Sequence, residues 1–179
     1  MRYLQMLTLS LILINVKFDY AIAAQSKQEA VLKVFKNAIE LNEDFKNSVK
    51  TLPLEVQQKK RIILEQYQEK ELSVALSDCV SLLSSDNDTN LALSFFDLLL
   101  SLENSADETL AYAFGEVFLN NPDLVIRTFD KLKRQEHKTL YPLLEWGWKN
   151  ITTQKNLSEA KIHSHIEKLK RLKSRIDDK

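Results

Sequence analysis

Hydrophobic residues recur along most of the chain at the three- and four-residue spacing of amphipathic helices. A first helix is expected from Ser26, which forms a capping box with Glu29, to Pro53, which lacks the amide donor needed to continue it. A second helical stretch is expected over 54–83, and an interruption near 69–71 stays open as an alternative.

The middle of the chain predicts the centre of the fold. Residues 91–102 are apolar nearly all round, as in a helix that is buried on most sides. The preceding polar segment, 84–90, is typical of a loop. A second capping box, Ser105 with Glu108, begins another helix, and Pro122 suits the first position of the helix after it.

Two more helices are expected near the C-terminus, over about 140–151 and from Ser158 towards Ile176. Pro142 is tolerable only in the first turn of the former, where its missing amide would be unpaired anyway. The inner side of the last helix is predicted to carry Ile162, Ile166 and Leu169.

Composition supports an all-α fold. The chain has only two glycines and three prolines, whereas sheet proteins need many tight turns built from such residues. Its 44% apolar and 28% charged residues are ordinary for a folded protein. We therefore expect a single compact domain of about six or seven helices. Its architecture is either an irregular bundle or a short HEAT-like stack of helix pairs.

An internal similarity at an offset of 33 residues favours the stack of helix pairs. Stacked repeats normally need about three or more units for stability, and the sequence shows two, so the irregular bundle remains an equal alternative. The matching pairs are Phe96 with Phe129, Asp97 with Asp130, Leu99 with Leu132, Glu103 with Glu136 and Leu110 with Leu143.

The first 24 residues have the three-part pattern of a cleavable secretory signal peptide. Arg2 precedes an apolar run over 4–16, and small residues follow at 21–24. The run is shorter than the roughly 20 residues that a spanning helix needs. Residues 25–179 are therefore predicted to form the mature helical domain, and an uncleaved membrane anchor is the alternative.

Export predicts an extracytoplasmic location. The periplasm is favoured over secretion to the exterior because small secreted eukaryotic domains usually carry disulfides, and Cys79 is the only cysteine. Cys79 is expected on a buried helical face; a reactive thiol or a disulfide between chains is the alternative. No later apolar segment approaches spanning length, so we expect no membrane span in the mature chain.

Charge and motif content argue against several functions. The 25 basic and 25 acidic residues balance, whereas a nucleic-acid binder usually carries a positive surplus. The sequence contains neither a glycine-rich phosphate loop nor a Gly-x-Ser-x-Gly elbow. The three histidines all lie within 137–165, which makes a nucleophile–base pair hard to assemble. Neither a catalytic site nor a cofactor is predicted.

One segment weakly resembles the opening of a calcium-binding loop, and its candidate ligands are Asp86, Asp88, Asn90 and Asp97. The sixth position is Leu91, where the sharp turn of such a loop requires glycine. We therefore predict no metal site and expect a polar loop that caps the next helix.

The candidate partner surface comprises one tryptophan and three cations of the last helix. Trp146 and Trp148 lie two positions apart, about 200° of helical rotation, so both rings cannot point into one core. Trp148 is the core candidate and Trp146 the interface candidate. The basic candidates, which suit an acidic partner or anionic lipid, are Lys168, Arg171 and Arg175.

Together these patterns favour an exported helical module that binds another protein of the same compartment, as an adaptor, chaperone or inhibitor of the immunity type. Peripheral membrane contact through the basic C-terminal helix is a further expectation. The first alternative is a carrier that holds an apolar ligand between 91–102 and 114–118. The second is a hydrolase with an unrecognised site.

The signal-peptide prediction is tested by the intact mass of protein recovered from its native compartment. We expect the mass of a chain that begins at Gln25, because the small residues before it suit signal peptidase. A mass that retains Met1 to Ala24 on an extracytoplasmic protein would contradict cleavage.

Overall fold

The computed structural model describes residues 2–103 and 108–177, with side chains from Ala23 onward. This part of the chain contains helices and no strand, which confirms the all-α prediction. The elements are α1 (Arg2–Thr51), α2 (Leu54–Tyr67), a π-helical segment (Gln68–Leu72), α3 (Ser73–Ser85), α4 (Thr89–Ser101), α5 (Glu108–Asn120), α6 (Pro122–Phe129), α7 (Arg134–Gln154) and α8 (Glu159–Asp177).

The helices alternate between two stacked layers. One layer runs α1, α4, α6 and α8, and the other runs α3, α5 and α7, with each helix packed on the next in its layer. The 33-residue offset carries the pair α4–α5 onto the pair α6–α7. The matched Phe96 and Phe129 pack edge to face, with ring centroids 5.3 Å apart. The described helices form one compact all-α bundle in which the two matched helix pairs are neighbours.

The only two glycines of the chain meet where α5 crosses α7. A Cβ added to Gly115 would lie 2.5 Å from the carbonyl carbon of Gly147, and one added to Gly147 would overlap the carbonyl oxygen of Ala111. The two backbones therefore touch, which only glycine permits. This crossing makes the most extensive helix contact of the described fold.

Phenylalanine side chains fill the core between the layers. Five of them, contributed by four helices, are almost completely inaccessible to solvent. Their ring centroids lie 5.0 to 6.4 Å apart, mostly edge to face, as aromatic pairs prefer. These residues are Phe35, Phe95, Phe96, Phe114 and Phe129.

The helices end without glycine caps. No described residue has a positive φ, so the usual left-handed C-terminal turn is absent there. Side chains of neighbouring helices instead donate to the exposed carbonyl oxygens of the last turns. These donations are Asn121 to Leu83 O (3.0 Å), Asn42 and Lys46 to Ser101 O (both 2.7 Å), His165 to Leu119 O (3.1 Å) and His137 to Phe129 O (2.6 Å).

The predicted helix starts have mixed outcomes. Ser26 lies inside α1, because the helix continues through the residues before it, so the predicted start there is wrong for the intact chain. The predicted stop is confirmed, since α1 ends at Thr51, just before Pro53. Ser105 lies outside the described residues, and α5 is described from Glu108.

The start predicted for α7 is wrong, because the helix begins at Arg134 and places Pro142 in its interior. Glu136 accepts the backbone N–H of Lys133 at 2.7 Å and so supports the earlier start. Pro142 lies on an exposed face together with Lys138, whose carbonyl is deprived of its amide partner. Water can reach that carbonyl, which reduces the cost of the proline.

The inner face of α8 is rotated from the predicted one. Ile166 is exposed, whereas His165 is buried with one face stacked on Trp148 at a centroid distance of 4.8 Å. Aromatic stacking and the hydrogen bond to the carbonyl of Leu119 hold the histidine on the inner face. Ile166, the next residue of the helix, is therefore turned towards solvent. The buried line consists of His165, Leu169, Leu172 and Ile176.

The π-helical segment falls where the sequence left an interruption open, and it sets the rotation of α2. The N–H of Ser73 reaches back five residues to Gln68 O, and its hydroxyl donates to Glu69 O at 2.7 Å. The extra residue of such a turn rotates the preceding helix by about 100° about its own axis. It thereby directs Leu64 and Tyr67 towards α1; without it, the polar residues one place later would face α1.

Deleting Lys70, an exposed residue of the π-segment, should therefore preserve the fold. The segment becomes regular α-helix while α2 keeps the same face towards α1. Deleting Ser77 from α3 is the matched control, because it rotates Leu72 and Leu76 out of the core and should cost about 4 kcal/mol or more. Urea denaturation followed by circular dichroism compares the two. Equal destabilisation by both deletions would contradict the role given to the π-segment.

Candidate functional site

A cleft of about 820 Å³ lies between α1, α2, the π-segment and the ends of α3, α4 and α5. Its floor is apolar and consists of Phe45, Leu64, Leu76 and Leu102. A polar rim surrounds this floor: Asn42, Lys46, Arg61, Glu65, Gln68, Glu69, Ser73, Ser101 and Thr109.

Two internal interactions hold the rim in place. Arg61 and Glu65 of α2 form an ion pair at 2.7 Å. Lys46 and Asn42 of α1 both donate to the carbonyl of Ser101 at the end of α4. The rim charges therefore largely balance within the cleft, and no strong field of one sign results.

A groove of about 420 Å³ continues the cleft along α3 and α5, since Ser73, Leu76 and Thr109 line both. One wall carries serine hydroxyls of α3, which are small and leave the groove open. The other wall carries Tyr112, Ala113, Glu116 and Asn120 of α5. From Ser73 to Ser84 the wall is roughly 16 Å long at 1.5 Å per residue.

An aromatic pair borders the groove on its α7 side. Tyr112 packs edge to face on Trp146 with ring centroids 5.3 Å apart, and its hydroxyl accepts from Gln154 at 3.1 Å. Trp146 is 38% exposed, whereas Trp148 is 3% exposed beneath His165. The predicted division of the two rings between surface and core is thus confirmed.

The structure does not bring the basic candidates of α8 to this surface. Lys168 pairs with Asp123 at 2.8 Å and Arg175 with Asp130 at 3.4 Å, which ties α8 to the two ends of α6. Arg171 is exposed. The predicted partner surface therefore separates into Trp146 beside the groove and a basic helix in the other layer. Within the described part of the chain, no helix is long and apolar enough to cross a membrane.

The calcium candidates serve the local fold. Asp88 caps α4 by accepting the N–H groups of Asn90 and Leu91 at 2.8 and 3.0 Å, and it also accepts from Gln28 of α1. Asp86 accepts the N–H of the residue that follows it. Asp97 lies two turns further along α4 and is exposed.

Asp97 has a distinct electrostatic environment. Although the residue is exposed, desolvation of its carboxyl by the neighbouring protein atoms, with a smaller contribution from the charge of Glu136, raises the pKa of this group above the ordinary value. Both causes disfavour the charged form of this carboxyl. Among the residues described, no three histidine, cysteine, aspartate or glutamate side chains come together as a metal site would require.

One cysteine and two of the three histidines lie in packed surroundings. Cys79 is buried as expected, and burial raises the pKa of its thiol far above the ordinary value, which makes it a poor nucleophile. His165 is enclosed by Phe118 and Trp148, and the Nε2 of His137 contacts the carbonyl of Phe129. None of the three is among the residues that line the cleft or the groove.

The segments assigned to a carrier cavity fill the core instead. Phe95 and Phe96 of α4 pack directly on Phe114 of α5, with centroid distances of 5.9 and 5.0 Å. Such packing leaves no room between these helices for a ligand. Sequence reasoning missed the cleft and the groove altogether. Its one pointer to them was the irregularity near 69–71, since π-helical turns occur frequently at functional sites.

Comparisons with protein-family models, with curated proteins and with solved structures found no match. The features of the described structure that bear on function are the shape and chemistry of the cleft, the groove and the aromatic pair.

The two tryptophans should respond differently to replacement by alanine. Trp148→Ala removes a buried ring that contacts Phe118 and His165 and should cost about 3–5 kcal/mol of unfolding free energy. Trp146→Ala removes one half-exposed aromatic contact and should cost about 1 kcal/mol. Urea denaturation of both variants measures the difference. Unfolding by Trp146→Ala with Trp148→Ala silent would reverse the assignment.

Proposed function

We propose that the chain is an exported helical module that binds a segment of another protein along the joined cleft and groove. The observation that carries the proposal is the continuity of the two concavities, which share Ser73, Leu76 and Thr109. The combined surface is open along its length, as a binding site for a chain segment must be.

The chemistry of this surface supports a protein partner. An apolar floor inside a polar rim is the usual anatomy of a protein interface. Trp146 and Tyr112 at the border add the large aromatic side chains that commonly provide most of the binding energy. The groove length of roughly 16 Å suits about five residues of extended chain or three helical turns.

The proposed compartment rests on the N-terminal pattern and on the cysteine content of the sequence. The pattern over residues 1–24 supports export, and the periplasm is favoured for a chain with one cysteine. The burial of Cys79 is compatible with an oxidising compartment, because the thiol is not accessible to a second chain.

A photo-reactive amino acid at Tyr112, introduced in the native host, tests the proposal. We expect a discrete crosslinked product, because position 112 borders the groove. Ser77→Arg with Ser81→Arg should reduce its yield on the order of tenfold or more, since two long side chains would fill the groove.

Ser164→Arg provides the matched control, because Ser164 is an exposed serine on α8 and should leave the yield unchanged. Circular dichroism of all variants confirms that they remain folded. A product that survives the paired groove substitutions, or the absence of any product from position 112, would contradict the proposal.

A further inference from the structure

Helix α2 buries the smallest share of its residues among the helices whose side chains are described. Of its 14 residues only Leu64 is buried, whereas α5 buries eight of 13. It lies along α1, and its other extensive contact is with the adjoining π-segment. A helix of this length has marginal stability in water without tertiary packing, so α2 depends on a contact with α1 that buries little side-chain surface.

The polar side-chain interactions between α2 and α1 are weak. Lys60 pairs with Asp44 of α1 at the surface, where ion pairs contribute little. The hydroxyl of Tyr67 donates to Val34 O at the long distance of 3.3 Å. Four apolar side chains of α2 point away from the core, with exposures from 36% to 67%: Leu54, Val56, Ile62 and Ile63.

Both ends of α2 differ from an ordinary helix continuation. At the N-terminal end Pro53 has no amide, and the chain turns there from α1. At the C-terminal end the π-segment replaces regular α-helical hydrogen bonds with wider turns, which have poorer geometry. The two irregularities bracket a helix whose side chains are mostly exposed.

We propose that α2 opens as a unit between Pro53 and the π-segment and acts as the movable wall of the cleft. Arg61, Leu64 and Glu65 of α2 line that cleft, so their displacement widens it and uncovers Phe45 and Leu76 on its floor. The opening would admit apolar side chains of a bound segment. That use of the motion rests on the function proposed above, whereas the motion itself does not.

Hydrogen exchange of the full-length protein, followed by mass spectrometry, tests the motion without any partner. Amides of α2 should exchange about 100-fold faster than those of α4, α5 and α7, and together rather than from the ends inward. Low concentrations of urea should leave the α2 rate nearly unchanged while they accelerate the core, because a local opening exposes little surface.

A crosslink provides the matched control. Asp44→Cys with Lys60→Cys places two thiols where an ion pair now joins α1 to α2, and a short reducible bis-thiosulfonate reagent can link them. Cys79 is buried too deeply to react. Crosslinking should slow α2 exchange on the order of tenfold or more, and reduction should restore it. Protection of α2 equal to that of the core, with the same urea dependence, would overturn the proposal. This result is independent of whether a crosslinked partner is found from position 112.

Discussion

The contact of Gly115 with Gly147 is the constraint on which the rest of the fold depends. Ridges of ordinary side chains keep two packed helices 8–10 Å apart. Without a Cβ at either position, α5 and α7 approach until backbone meets backbone. This close approach places Trp148 of α7 against Phe118 of α5. The other face of the Trp148 ring then forms the surface on which His165 of α8 packs. A methyl group at Gly147 would have to displace the carbonyl of Ala111, and α5 with it.

The use of both glycines at one crossing explains how the helices end. A chain without other glycines cannot readily form left-handed C-terminal turns. Donors from other helices take their place: His165 of α8 serves α5, His137 of α7 serves α6, and Asn42 of α1 serves α4. Each such bond contributes about 1 kcal/mol, and those of His165 and Asn42 link helices distant in sequence. The same hydrogen bonds therefore both satisfy the helix ends and join the helices to one another. This double use favours cooperative unfolding of α3 to α8.

The sequence predicted what depends on periodicity and failed where distant contacts override local rules. The all-α fold, the burial of Trp148 and the capping of α4 by a polar loop follow from spacing and capping preferences alone. The loop itself is shorter than the predicted 84–90, since only 86–88 are non-helical. The start of α7 could not be predicted, because Pro142 is tolerated only through its position on an exposed face. The inner face of α8 was mispredicted because an apolarity scale ranks Ile166 above His165. The ring of Trp148 and the carbonyl of Leu119 reverse that order.

The candidate site was invisible to sequence reasoning for a related reason. A cleft is space that the side chains of neighbouring helices leave unfilled. Local sequence patterns do not reveal such space, because it depends on how helices distant in sequence pack. In the sequence, the serines of α3 are ordinary polar positions. In the fold α5 lies beside them, and a groove remains between the two helices because the serine side chains are small. Likewise, Leu64 looks like one more apolar residue of α2 until the π-segment turns it towards α1 and leaves its neighbours exposed. The rigid α5–α7 crossing and the weakly held α2 thus define opposite edges of one surface. The first fixes the aromatic border, and the second leaves the cleft free to change its width.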